Sequence, residues 1–113
     1  MTPRRRLRAA CIETPIVMSS SIDIDPSLRG RDKVVAICKA CGADEYLNAI
    51  GGQSLYTKDD FRSAGISLSF LQSDSIEYRQ FDHPFVPWLS IVDVMMFNAF
   101  DEVKRMVSMW KPI

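Results

Sequence analysis

A chain of 113 residues, 47% apolar and 25% charged, has the make-up of one globular domain or part of one, with length enough for a single core. Fourteen basic residues balance fourteen acidic ones, so no net positive field argues for a nucleic-acid partner. The longest apolar segment, Val92 to Phe97, is short and contains Asp93, so no membrane span is expected.

Arg4, Arg5, Arg6 and Arg8 crowd the start. No apolar run follows them, so they do not open a signal peptide, and residues 1–10 read as a disordered basic tail. Cys11, Cys38 and Cys41 are an odd number without an export signal. Reduced thiols and a cytoplasmic location follow as expectations.

Residues 11–19 are apolar and β-prone, and Pro15 is tolerated as the first residue of a strand reaching Met18. A polar loop runs from Ser19 to Gly30. Val34, Ile37, Cys38 and Cys41 then recur at helical spacing, which predicts a helix over 31–41 with both cysteines on its apolar face. Gly42 supplies a left-handed stop. Tyr46-Leu47-Asn48 is a short strand, and Gly51-Gly52 a tight loop. Thr57 and Asp60 have the spacing of a capping box at the start of a second helix, ended by Gly65. Ile66, Leu68 and Phe70 alternate with serines as a strand does. Residues 72–88 form a long irregular connection, a kind of segment that usually carries function or an interface. Ser90 and Asp93 repeat the capping-box spacing before a helix through Phe97. A last helix is predicted over 100–110, stopped by Pro112. Alternating strands and helices predict an α/β fold: three short parallel strands, crossover helices and a helical C-terminal tail.

Four groups of residues invite a chemical reading. Cys38-Lys39-Ala40-Cys41 is a C-x-x-C motif, but a zinc site would need two more ligands, and the only histidine is His83. A redox pair belongs at a helix N-terminus, whereas these cysteines end one, so core packing is the favoured reading. Gly51-Gly52 reads either as a backbone nest for an anion or as a turn that needs positive φ. Ser90 and Asp93 could be nucleophile and base; helix capping accounts better for their spacing. Tyr78, Gln80, Phe85, Pro87 and Trp88 cluster aromatic faces with an amide. They suit a sugar ring, or equally a loop pinned to the core.

Several segments together resemble the C-terminal half of the WbqC-like family of bacterial surface-polysaccharide loci. They are Thr14-Pro15 to Ser20, Ile37 to Ala43, Tyr46-Leu47-Asn48 with Gly51-Gly52 and Leu55-Tyr56, Phe61 with Gly65-Ile66, Tyr78 with Gln80, and Phe85 to Asn98. The last, in the form F-x-P-x-L-S-I-x-D-x-x-M-F-N, is the most specific. The resemblance implies a role in O-antigen or related polysaccharide biosynthesis. It suggests a transferase that adds an amino-acid or acyl group to an activated amino sugar, with a nucleotide-activated sugar as ligand. It carries over no catalytic residue, metal or cofactor. The motif matches that also suit a ligand are Asn48, Gly51, Gly52, Tyr56, Tyr78, Gln80, Ser90 and Asp93. The expected ligand site borders Asn48, the paired glycines and the Tyr78–Pro87 loop. Members of the family are about twice this length, so residues 11–113 are expected to be the C-terminal part of a larger α/β domain. Self-association through an exposed sheet edge then follows. A second reading is a non-catalytic remnant, or an interaction module lacking the N-terminal half of the site.

Overall fold

The computed structural model describes residues 14–113. The basic tail expected at 1–10, and Cys11, lie outside the described residues. The chain divides into two compact units: the first contains Ile16–Gln72 and Pro112–Ile113, the second Ser73–Lys111.

The first unit opens on a 3-10 turn, Ser19–Ser21, and then forms α1, Gly30–Ala40. Cys38 on α1 is buried, and Val34 and Val35 pack beside it. Cys41, expected on the same buried face, instead lies at the helix end and is exposed. Gly42, at φ +65°, donates to the Lys39 carbonyl at 3.1 Å, and Ala43 to that of Cys38 at 2.9 Å. These two bonds are the Schellman ending, which a left-handed residue makes possible. Strand β1, Glu45–Ala49, follows, and α2, Lys58–Arg62, crosses from it to β2, Ser67–Ser73. Thr57 caps α2 as predicted: its Oγ1 accepts from the Asp60 amide at 3.4 Å and donates to Asp60 Oδ2 at 2.6 Å. Gly65, at φ +79°, ends α2 much as Gly42 ends α1.

β1 and β2 are parallel, with Tyr46 opposite Leu68 and Asn48 opposite Phe70. Cys38, Phe61, Ile66, Leu68 and Phe70 form the core. Phe61 is fully enclosed, stacked on Tyr46 at 5.5 Å and meeting Tyr56 edge-on at 5.6 Å. Burying a side chain of this size contributes about 2–3 kcal/mol.

The α/β class and the three short strands hold, but the third strand is not the one predicted. Residues 14–18 form no strand, and Ile16, Val17 and Met18 are exposed. A β-prone run becomes a strand only where a sheet edge receives it. The edge is taken by β3, Trp110–Pro112, and the sheet order is β1-β2-β3. Phe70 and Ile113 exchange N–H···O bonds of 2.9 Å in both directions, the antiparallel pattern, so the sheet is mixed rather than all parallel. Ile113 turns both backbone groups toward Phe70. Its neighbour Pro112 therefore faces outward, where a missing N–H costs no ladder bond.

In the second unit, α3 is Ile91–Phe97 and α4 is Phe100–Val107. The final helix thus stops before Trp110. Val94, Val103 and Met106 make a small core with Ile76, Tyr78 and Val107 packed against it. Among the described residues, no helix is long and apolar enough to cross a membrane.

Candidate functional site

The long connection before α3 has no regular structure from Asp74 to Ser90, yet it is tightly specified. Gln80 is 7% exposed, the one buried polar side chain among the described residues. An amide in that position has to be fully engaged. Its Oε1 accepts from the Val86 N–H at 2.7 Å, and its Nε2 donates to the Val86 carbonyl at 3.1 Å. The side chain thus pairs with the backbone six residues on, as a neighbouring strand would. The remaining Nε2 hydrogen reaches Asp93 Oδ2 at 3.0 Å. The Tyr78 hydroxyl donates to the same Oδ2 at 2.5 Å.

Two residues between and beside these anchors adopt backbone conformations that side chains rarely tolerate. Phe81 has φ +53° and Trp88 has φ +60°. Each costs of order 1–3 kcal/mol, and such strain persists only where surrounding contacts enforce it. Both side chains are largely exposed, Phe81 at 72% and Trp88 at 76%. Phe81 leans edge-on against Phe97 at 4.7 Å, and Phe85 against Tyr78 at 5.1 Å.

Ser90 and Asp93 divide the work expected of them as a pair. Ser90 Oγ accepts from the Val92 amide at 3.2 Å and caps α3. Asp93, in the first turn of α3, aims its carboxylate at Tyr78 and Gln80 instead of back at the cap. No nucleophile–base bond joins Ser90 to Asp93 among the described residues. Asp93 Oδ1 has no partner there either, and no described side-chain oxygen is both buried and unsatisfied. Burial, then the hydrogen bond to Asp93, raise the Tyr78 phenol above its ordinary value, so it stays protonated and donating at neutral pH.

The other four predicted residues lie in the first unit. Gly51 and Gly52 fall in a 3-10 turn, Ile50–Ser54, and neither has positive φ. The alternation of hands that makes a backbone nest is absent from this pair, and so is the turn conformation that would demand glycine. Gly52 is needed for space. A Cβ there would lie 2.9 Å from Asn48 Cγ and 3.4 Å from the Phe70 ring, whereas one at Gly51 would meet nothing within 4 Å. Asn48 spends its Oδ1 on the Ala49 amide at 2.8 Å. Tyr56 packs against the core at Phe61.

Burial raises the Cys38 thiol above its ordinary value, and Cys41 nearby adds to the effect. Both cysteines end a helix, so this pair lacks the positive dipole end that activates a redox thiol. A cleft of about 410 Å³ in the first unit is lined by Asp44, Lys58, Arg62 and the start of β2. It lies at the amino ends of the parallel strands, whereas open α/β sheets bind ligands at the carboxyl ends.

Phe81 and the Val86 backbone lie within the expected Tyr78–Pro87 loop but were not singled out in it. Nothing in a sequence marks a non-glycine residue for positive φ. The six-residue gap from Gln80 to Val86 is not a recognised turn spacing.

Curated proteins and solved structures gave no match to the sequence. A family model did match, over residues 5–105, which takes in the Tyr78–Gln80–Asp93 network and every segment of the resemblance noted above. With most of its length covered, the chain belongs to the WbqC-like protein family.

Proposed function

We propose that this chain acts in the biosynthesis of O-antigen or a related bacterial surface polysaccharide, holding an activated amino sugar to which an amino-acid or acyl group is transferred. Membership of the WbqC-like family supports the setting. One structural observation carries the rest. Asp93 has one carboxylate oxygen fixed by Tyr78 and Gln80 and the other without a partner among the described residues. The same loop presents Trp88 outward on a strained backbone.

The chemistry fits an amino sugar. Its ring offers a C–H face that packs on an indole, and its amine donates to a carboxylate. Holding Oδ2 by two donors leaves Oδ1 in one orientation, so little ordering cost remains for binding. Tyr78 and Gln80 spend all their side-chain donors within the network. They are positioning residues, and Trp88 and Asp93 make the contacts.

The test is a thermal-shift and calorimetric screen of nucleotide-activated amino sugars against the wild type, Trp88→Ala and Asp93→Asn. Stabilisation of the wild type is expected, with at least a tenfold loss of affinity in each variant. Asp93→Asn should discriminate most strongly against the sugar with a free amine relative to its N-acetyl form. No shift with any sugar in the wild type would refute the reading.

A further inference from the structure

The two outer edges of the three-stranded sheet are treated differently by the sequence. At β3 the edge is three residues long and carries Lys111 and Pro112. A short strand, a lysine and a proline are the usual means of stopping an edge from pairing with another chain. β1 has none of these. It is five residues long and reads Glu45-Tyr46-Leu47-Asn48-Ala49.

The backbone geometry says which β1 groups are available. Ser67 N–H donates to the Asp44 carbonyl at 2.8 Å, with Glu45 opposite Ser67 in the register. In a parallel ladder alternate residues turn both backbone groups to the partner, so Tyr46 and Asn48 serve β2. Glu45, Leu47 and Ala49 turn theirs outward. The Ala49 N–H is already held by Asn48 Oδ1. The Ala49 carbonyl caps the 3-10 turn that starts at Ile50. The amides and carbonyls of Glu45 and Leu47 remain open among the described residues. Leu47, at the centre, is a 43% exposed leucine.

We propose that this edge pairs with the β1 of a second copy of the chain, antiparallel and centred on Leu47. The sequence is self-complementary in that register. Leu47 meets its own copy, Tyr46 faces Asn48, and Glu45 faces Ala49, so no like charges are opposed. Pairing edge to edge consumes both edges and closes at a dimer, with a two-fold axis through Leu47 and a continuous six-stranded sheet. This proposal stands apart from the sugar reading and does not depend on it.

Sedimentation equilibrium of the wild-type chain should give a dimer in the micromolar range, with no larger species. Hydrogen exchange read at the Leu47 amide should slow as protein concentration rises, while the Leu68 amide, on the central strand, stays unchanged. Leu47→Pro removes an outward N–H that β2 does not use, and Leu47→Lys adds a charge at the two-fold axis. Both should be monomeric with unchanged circular dichroism. A wild type that remains monomeric at high micromolar concentration would overturn the proposal. So would open-ended growth, or a dimer in which exchange at Leu47 is independent of concentration. The exchange measurement needs no variant, so a variant that fails to fold leaves the proposal testable.

Discussion

At Gly51–Gly52 the chain turns on its own backbone. The 3-10 turn satisfies its polar groups locally, glycine fits because the Asn48 side chain stands where a Cβ would go, and no residue of the turn has positive φ. At Tyr78–Leu89 the chain turns on its side chains. A buried amide imitates a strand, a carboxylate collects two donors, and two aromatic residues sit at positive φ with their rings in solvent. The first arrangement is what folding alone would select. The second carries strain, buries a polar group and leaves large apolar surface exposed, three costs that folding does not ask for. For that reason we propose the aromatic loop, more than the paired glycines, as the ligand-facing element.

The sharpest way to break this contrast is to remove what lies under the glycine turn. Phe70→Ala should cost about 3–5 kcal/mol by opening a cavity beneath Gly52 and beside Leu68. Urea unfolding would read it. A cost below about 1 kcal/mol would show that the turn does not rest on packing.

Gln80→Leu tests the other arrangement. It keeps the volume but leaves the Val86 backbone pair without a partner and takes from Asp93 one of its two donors, at a cost of about 3 kcal/mol. The more telling readout is local: the Val86 amide should exchange far faster, and the Trp88 fluorescence anisotropy should fall. If Gln80→Glu, which keeps the acceptor but not the donors, behaves like wild type, the clasp is not the holding element.

The paired glycines separate from each other by a smaller margin. Gly52→Ala should destabilise by about 2 kcal/mol through the clash with the Asn48 side chain. Gly51→Ala, with open space and an ordinary φ, should be neutral or stabilise by up to about 1 kcal/mol, because alanine narrows the unfolded ensemble. Equal effects at the two positions would contradict the steric account.

These contrasts also show what local pattern can and cannot reveal. Helix α1, its glycine stop, the Thr57 and Ser90 caps and the alternation of β2 were legible because each is decided within a few residues. The strand expected at Pro15 and the helix expected to reach Trp110 failed together, for one reason. Phe70 pairs with Ile113, 43 residues away by the numbering, and no periodicity records which of two β-prone segments takes a sheet edge. At the site, Tyr78, Gln80 and Asp93 were named, but their roles were not. Asp93 looked like a capping partner because it stands three positions after Ser90. Its carboxylate instead accepts from Tyr78, fifteen residues earlier, a long-range contact that spacing cannot express.

The smallest expected effect concerns the proton on Tyr78, and it sharpens the contrast in electrostatic terms. Tyr78→Phe deletes one hydrogen bond to a partly exposed carboxylate and should cost about 1 kcal/mol at neutral pH. The phenol is raised above its ordinary value of about 10 in the folded chain. Between the ordinary and the raised value the unfolded chain binds fewer protons than the folded one, so stability falls as pH rises. The contribution is fully present below about pH 10 and is lost as pH climbs through the raised value. Burial raises Tyr46 and Cys38 in the same direction, so the whole chain should weaken in alkali. The units separate through the variant. Tyr78→Phe should remove one late-titrating phenol from the near-ultraviolet phenolate absorbance and flatten part of the alkaline fall in melting temperature. The part due to Tyr46 and Cys38 should remain. A variant with the same alkaline profile as wild type would mean that the Tyr78 proton is not held by Asp93.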